Sequence, residues 1–239
     1  MFDPYLLKLN NYLQGRGGHR LSLPSIFQEC KSYRNQENII KSWLWSVPGF
    51  RRWRVTRLDA GESLQVLNSV AYPDLNNDQP ILGLDLLWFG KNSKLVAVMD
   101  FQPLVQDEIY LDRYFNGLKL LRNRYPQLSN KQIMRAFDPN QYFSPWLLFF
   151  RGDLEESEGL LANAFNDFLY KYGELSDLSK HSRPLIQSSE VLKLQNAYDK
   201  YGSEKDPAHG LFKSYFGEEW TNKYLYEFLF PGSSFVDKN

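Results

Sequence analysis

Three apolar segments each carry a polar group that could do chemistry. Asn68 lies inside Leu64–Pro73, Asp85 inside Pro80–Trp88, and Asp100 inside Leu95–Pro103. Each segment reads as a strand. A carboxylate inside an apolar strand is costly unless it is paired, hydrated or used. Two such carboxyls on successive strands, with an amide close by, point to a site on a sheet. Carboxyls in that setting can be tuned to exchange protons near neutral pH. Strand alternation puts Asp85 on the face of Gly83 and Leu87, away from Leu84 and Leu86. The competing reading is an Asp held by an Arg such as Arg54 or Arg57, or by backbone amides. Asp100 has the same two readings, and its place at a strand end favours a turn or cap.

A second constellation is Glu204–Gly210, with Asp206 before Pro207 and His209 shortly after. Asp-Pro is by default a turn or helix-entry element. His209 could titrate near neutrality or simply bond to backbone at a helix start. The densest basic stretch is Arg51, Arg52, Arg54 and Arg57, with Lys41. It reads as ordinary sheet-edge solvation, as a grip on carboxylates, or as a docking patch for an acidic protein. Spacing does not choose among these.

The elements that position these groups follow from periodicity. Pro4–Gln14 is helical and Gly15–Gly18 ends it. Glu37–Trp45 reads as a short helix or irregular structure. Strands are expected over 51–59, 64–72, 81–89 and 94–101, joined by short turns at Ala60–Glu62 and Gly90–Ser93. Tight turns between consecutive strands require antiparallel pairing. Helices are expected over 107–125, 129–137 (with Ser129–Gln132 as a capping box), 154–174, 188–200 and 218–229, and a further strand over 146–150. A meander of strands followed by helices predicts an α+β fold with helices covering the sheet.

Composition narrows the function. The 239 residues suit one domain, and no linker-like stretch divides them. Lys plus Arg equals Asp plus Glu, 28 each, which argues against general nucleic-acid binding. Cys30 is the only cysteine, so no intramolecular disulfide and no resident iron–sulfur centre is expected. His19, His181 and His209 lack metal-ligand spacing. No glycine-rich nucleotide loop is present. The start, Met-Phe-Asp-Pro-Tyr, has no basic or apolar leader pattern, and no run is long enough to span a membrane. An intracellular, cytoplasmic protein without membrane contact is expected. The aromatic content of 16% serves a core of large side chains or a pocket for a large flat ligand.

Seven stretches together resemble the ferredoxin-dependent bilin reductases: Ser42–Ala60, Val66–Pro73, Gly83–Phe89, Asp100–Gln106, Phe137–Ser144, Asp206–Phe212 and Glu227–Pro231. The resemblance covers nearly the whole chain. It implies an α/β/α sandwich with a central antiparallel sheet, and an open-chain tetrapyrrole held between the sheet and the C-terminal helices. It implies a monomer without bound cofactor, receiving single electrons from reduced [2Fe-2S] ferredoxin and passing through bilin radicals. Asp85 matches the family's central proton donor and Asp206 a second, C-terminal aspartate. Asn68 stands where phycocyanobilin-forming relatives carry a histidine, which argues against that reaction. Arg151 and Ser144 are the candidate substrate contacts. The expected reaction is two-electron reduction of biliverdin IXα at the C15 methine bridge to 15,16-dihydrobiliverdin, which the next reductase would receive, in direct contact or otherwise. The alternatives are a sibling reductase making phycoerythrobilin and a bilin carrier without turnover. Ferredoxin is acidic, so a basic docking patch and salt-weakened binding are expected.

Overall fold

The computed structural model describes residues 1–129, 141–157 and 159–238. Eight antiparallel strands form one sheet: β1 (His19–Leu21), β2 (Glu29–Lys31), β3 (Ile39–Val47), β4 (Phe50–Asp59), β5 (Gln65–Pro73), β6 (Ile81–Phe89), β7 (Lys94–Gln102) and β8 (Leu148–Asp153). Strands β3 to β8 lie in chain order, and β1 and β2 share the outer edge of β3. The helices are α1 (Asp3–Gly15), α2 (Ser25–Gln28), α3 (Glu108–Asn123), α4 (Leu154–Ser157), α5 (Leu160–Ser179), α6 (Ser188–Lys205), α7 (Ala208–Phe216) and α8 (Glu218–Lys223).

Helices cover both faces, giving an α/β/α sandwich. One face of the central strands carries Trp53, Val55, Leu67, Leu84, Ala97 and Met99, all buried against α1, α3 and α5. Trp53 packs edge-on against Phe50 and Tyr172. Each of the Val, Leu and Met side chains contributes about 1.5–3 kcal/mol on burial, so this face supplies the main core. The opposite face is more polar and is roofed by α6 to α8 and the C-terminal turns. A second apolar cluster of Ile40, Leu58, Phe212, Tyr224 and Phe228 closes one end of it.

Several boundaries differ from the sequence reading. Residues 39–47 are a strand, not a short helix or irregular segment. They pair with β4 along nearly their whole length and are covered on both faces, so no clean alternation marks them. The three-residue strands β1 and β2 are too short to carry a period. The helix expected over 154–174 is two helices, separated at Gly159, whose φ of 78° is left-handed. The last helix passes from α8 into a π-helical turn, Tyr224–Leu229, closed by Phe230 N–H donating to the Leu225 carbonyl. The helix expected over 129–137 lies, beyond Ser129, outside the described residues.

The basic stretch is divided: Arg51 and Lys41 are exposed, Arg52 is half-buried, and the other two are buried. The layers on the two faces of β4 cover Arg54 and Arg57, which are 2% and 5% exposed. Arg57 bonds Asp3, Asp59 and Gln65, and Arg54 faces the other side. A docking surface needs exposed charge, and these two do not provide it. Among the described residues, no helix is long and apolar enough to cross a membrane.

Helix α6 is fastened over the sheet by a buried tie. The Tyr72 hydroxyl donates to Asp199 at 2.6 Å, and Gly232 N–H donates to the other Asp199 oxygen at 2.8 Å. Tyr72→Phe leaves a buried carboxyl one partner short. It should lower the unfolding free energy in urea by about 1–3 kcal/mol; an unchanged denaturation midpoint would show that the tie adds nothing.

Candidate active site

The polar sheet face and its helical roof enclose a mainly apolar cavity of about 360 Å³. This is within the range for small-molecule sites, roughly 300–1,000 Å³. Its floor includes Arg54 and Thr56 of β4, Asn68 of β5, and Gly83, Asp85 and Leu87 of β6. Its roof includes Tyr198, Asp206, Leu211, Phe212 and Phe230.

Register brings the floor groups together. Thr56 lies opposite Asn68, Asn68 opposite Asp85, and Asp85 opposite Val98. Directly opposed residues share a face, so all project toward the roof. The Asn68 amide donates to Asp85 Oδ1 at 3.0 Å. Arg54 Nη1 donates to Asn68 Oδ1 at 2.5 Å. Among the described residues Asp85 is therefore not paired directly with an arginine; Asn68 stands between it and Arg54.

Burial pushes the Asp85 carboxyl up to about 7, and nearby Asp206 adds to this, while Asn68 and the Arg54 charge act against it. The carboxyl can therefore hold or release a proton near neutral pH. Asp206 follows the last turn of α6. Its carboxylate accepts from Ala208 N–H at 2.8 Å and thereby starts α7. Burial raises its affinity for a proton too, opposed by that hydrogen bond and by Arg54 and His209. So the turn-forming and cavity-lining readings of Asp206 hold together.

The other sequence candidates lie elsewhere. Ser144 is buried, and both its N–H and its hydroxyl donate to Asp100, at 2.7 and 2.5 Å. It fastens the chain before β8 to β7 and is not on the cavity wall. Arg151 is exposed on edge strand β8, opposite Val96, which is opposite Leu87. It shares the sheet face of Asp85 from two strands away. His209 faces Asn222 at 3.4 Å. Sequence reasoning did not single out Tyr198, whose hydroxyl donates to Gln102 at 2.6 Å above Gly83. A Cβ on Gly83 would meet Gln102 Oε1 at 2.8 Å, so the glycine gives that side chain its place. Tyr198 falls within the helix expected over 188–200, and nothing local marks its hydroxyl. Among the described residues no group of three or more His, Cys, Asp or Glu could hold a metal.

Residues 7–231 match the family profile described as ferredoxin-dependent bilin reductase. The chain belongs to this family. Among relatives of the bilin reductase chain, 15,16-dihydrobiliverdin:ferredoxin oxidoreductase of Prochlorococcus marinus (strain MIT 9303) is 57% identical over 239 residues, covering 100% of this chain and 96% of that one. The protein of the same name from Synechococcus sp. (strain CC9902) is also 57% identical, over 98% and 99% of the two chains. Tomato phytochromobilin synthase, solved in complex with biliverdin, superposes with a TM-score of 0.85 at 21% identity, over 98% of this chain and 85% of that one. That likeness fixes the bilin reductase fold as the frame for the cavity.

Two buried carboxyls with pKa near 7 make stability pH-dependent. Asp85 and Asp100 rise from 3.8 to about 7 on folding, both chiefly through burial. Across that window the folded protein holds protons the unfolded chain has released, so stability falls as pH rises. Unfolding midpoints should decline from about pH 4 to about pH 7. Asp100→Asn should flatten that decline, and an unaltered slope in the variant would remove Asp100 from it.

Proposed function

We propose that the chain reduces biliverdin IXα at the C15 methine bridge to 15,16-dihydrobiliverdin, with ferredoxin as electron donor. The observation that carries the reading is Asp85, a carboxyl able to hold a proton near neutral pH on the wall of a mainly apolar cavity. The 57% full-length identity to proteins of that activity's name selects the reaction. The aromatic and aliphatic roof suits a large conjugated ligand, whose π surface gains from apolar contact.

The reaction adds two electrons and two protons across C15=C16. Reduced [2Fe-2S] ferredoxin delivers electrons singly and directly to the bilin. Each electron raises the basicity of the tetrapyrrole, so a proton donor already in place limits the lifetime of the charged radical. Asp85 supplies a proton from the floor. Asp206 faces it from the roof and is the candidate second donor; its negative charge also helps keep Asp85 protonated. Asn68 replaces the histidine of phycocyanobilin-forming relatives, removing one titratable group and changing where protons can be delivered. Arg151, at the sheet edge, is the candidate grip for a propionate. Ser144 enters as support for the neighbouring wall through Asp100. A cytoplasmic monomer that hands its product to the next reductase completes the proposal.

Anaerobic mixing of the protein with biliverdin IXα and reduced ferredoxin should give one blue-shifted product, identified as 15,16-dihydrobiliverdin by chromatography. Continuation to phycoerythrobilin would make it a four-electron sibling, and binding without conversion would make it a carrier. Asp85→Asn should bind biliverdin and turn over about 10²–10⁴-fold more slowly. Full activity in that variant would take Asp85 out of the chemistry.

A further inference from the structure

Arg54 is a buried cation with an unusual set of neighbours. It is 2% exposed and lines the floor of the cavity. Its guanidinium lies 5.4 Å from the centre of the Phe230 ring, and its Nε–H is buried without a hydrogen-bond partner. Its side-chain hydrogen bond goes to Asn68 Oδ1.

A guanidinium has donors and no acceptor. The Asn68 oxygen must therefore face Arg54, because a turned amide would set its NH₂ against the arginine N–H groups. With the oxygen committed, the Asn68 NH₂ points to Asp85 and donates to Oδ1. Oδ1 is then an acceptor, and the acidic proton of Asp85 resides on Oδ2. A turned amide would reverse this: its oxygen would face Asp85, and the proton would be drawn to Oδ1 and held there.

We propose that Arg54 is a positioning residue that fixes the Asn68 amide and so decides which oxygen of Asp85 carries the transferable proton. The inference rests on the proposed bilin reduction for its functional meaning. Other charged or titratable groups also face Asp85. Asp206 comes from the turn after α6 and Tyr198 from α6, both on the cavity wall, while His209 of α7 acts on Asp206. Among the described residues, it is Arg54, and not one of these three, that donates to the Asn68 oxygen.

The test reads the Asp85 carboxyl in the unliganded protein, by infrared difference titration assigned with Asp85→Asn. Arg54→Met should make Asp85 about a tenfold weaker acid. In an Asn68→Leu background, the same Arg54→Met change should have less than half that effect, because the amide it acts through is gone. Turnover of Arg54→Met should fall about tenfold in kcat while biliverdin affinity stays within about threefold. If Arg54→Met does not fold, Arg54→Leu, which likewise has no donor, carries the same measurements. An unchanged Asp85 titration overturns the proposal. So does an equal shift with and without Asn68, which would mean that Arg54 acts by charge alone. Loss of biliverdin affinity with normal titration would make Arg54 a substrate contact, again overturning it. A wild-type protein that never converts biliverdin would sink the reaction assigned above and leave the carboxyl titration readable by itself.

Discussion

The two-residue side-chain period of the central strands is the constraint on which the site depends. Antiparallel register sets Thr56 against Asn68 and Asn68 against Asp85. A slip of one residue in any of these strands would carry its polar group into the face packed by α1, α3 and α5. There, an unpaired carboxyl or guanidinium would cost several kcal/mol, a large part of a typical domain's net stability. The large apolar face therefore holds the register, and the register holds the polar chain. Stability and site geometry come from opposite faces of the same strands.

Burial then does what the register alone does not. Asp85 on an open sheet would be an ordinary carboxylate. Under the roof of Tyr198, Leu211, Phe212 and Phe230 it keeps its proton to about pH 7. Arg54 and Asn68 oppose that rise, and Asp206 strengthens it. The balance leaves a group that can be either acid or base near neutrality, as a proton donor to a reduced ligand requires. Tyr72 and Asp199 keep the roof in place, so a structural tie outside the cavity shares responsibility for its electrostatics.

Asp100 shows how similar burial can serve a different end. It too rises to about 7, yet its oxygens are occupied by the Ser144 N–H and hydroxyl. Saturated in this way, it joins two chain segments instead of facing a ligand. Two carboxyls alike in sequence setting and acidity are thus separated by what their lone pairs touch.

Much was legible in the residues themselves. Alternation identified the strands at 51–59, 64–72, 81–89 and 94–101 and put Asp85 on the Gly83–Leu87 face. Short turns required antiparallel neighbours, and family motifs singled out Asn68, Asp85 and Asp206. These features depend on local period or on residue type, which a linear chain carries openly. Strand β3 escaped because both its faces are covered and its period is masked. The burial of Arg54 and Arg57 escaped because it follows from elements remote in sequence covering the two faces of β4. Ser144 on Asp100, Tyr198 on Gln102 and Arg54 on Asn68 join residues 44, 96 and 14 positions apart. Such pairings arise when the sheet closes and the helices settle on it, since only then do desolvation and lone-pair geometry single out one partner among many polar residues.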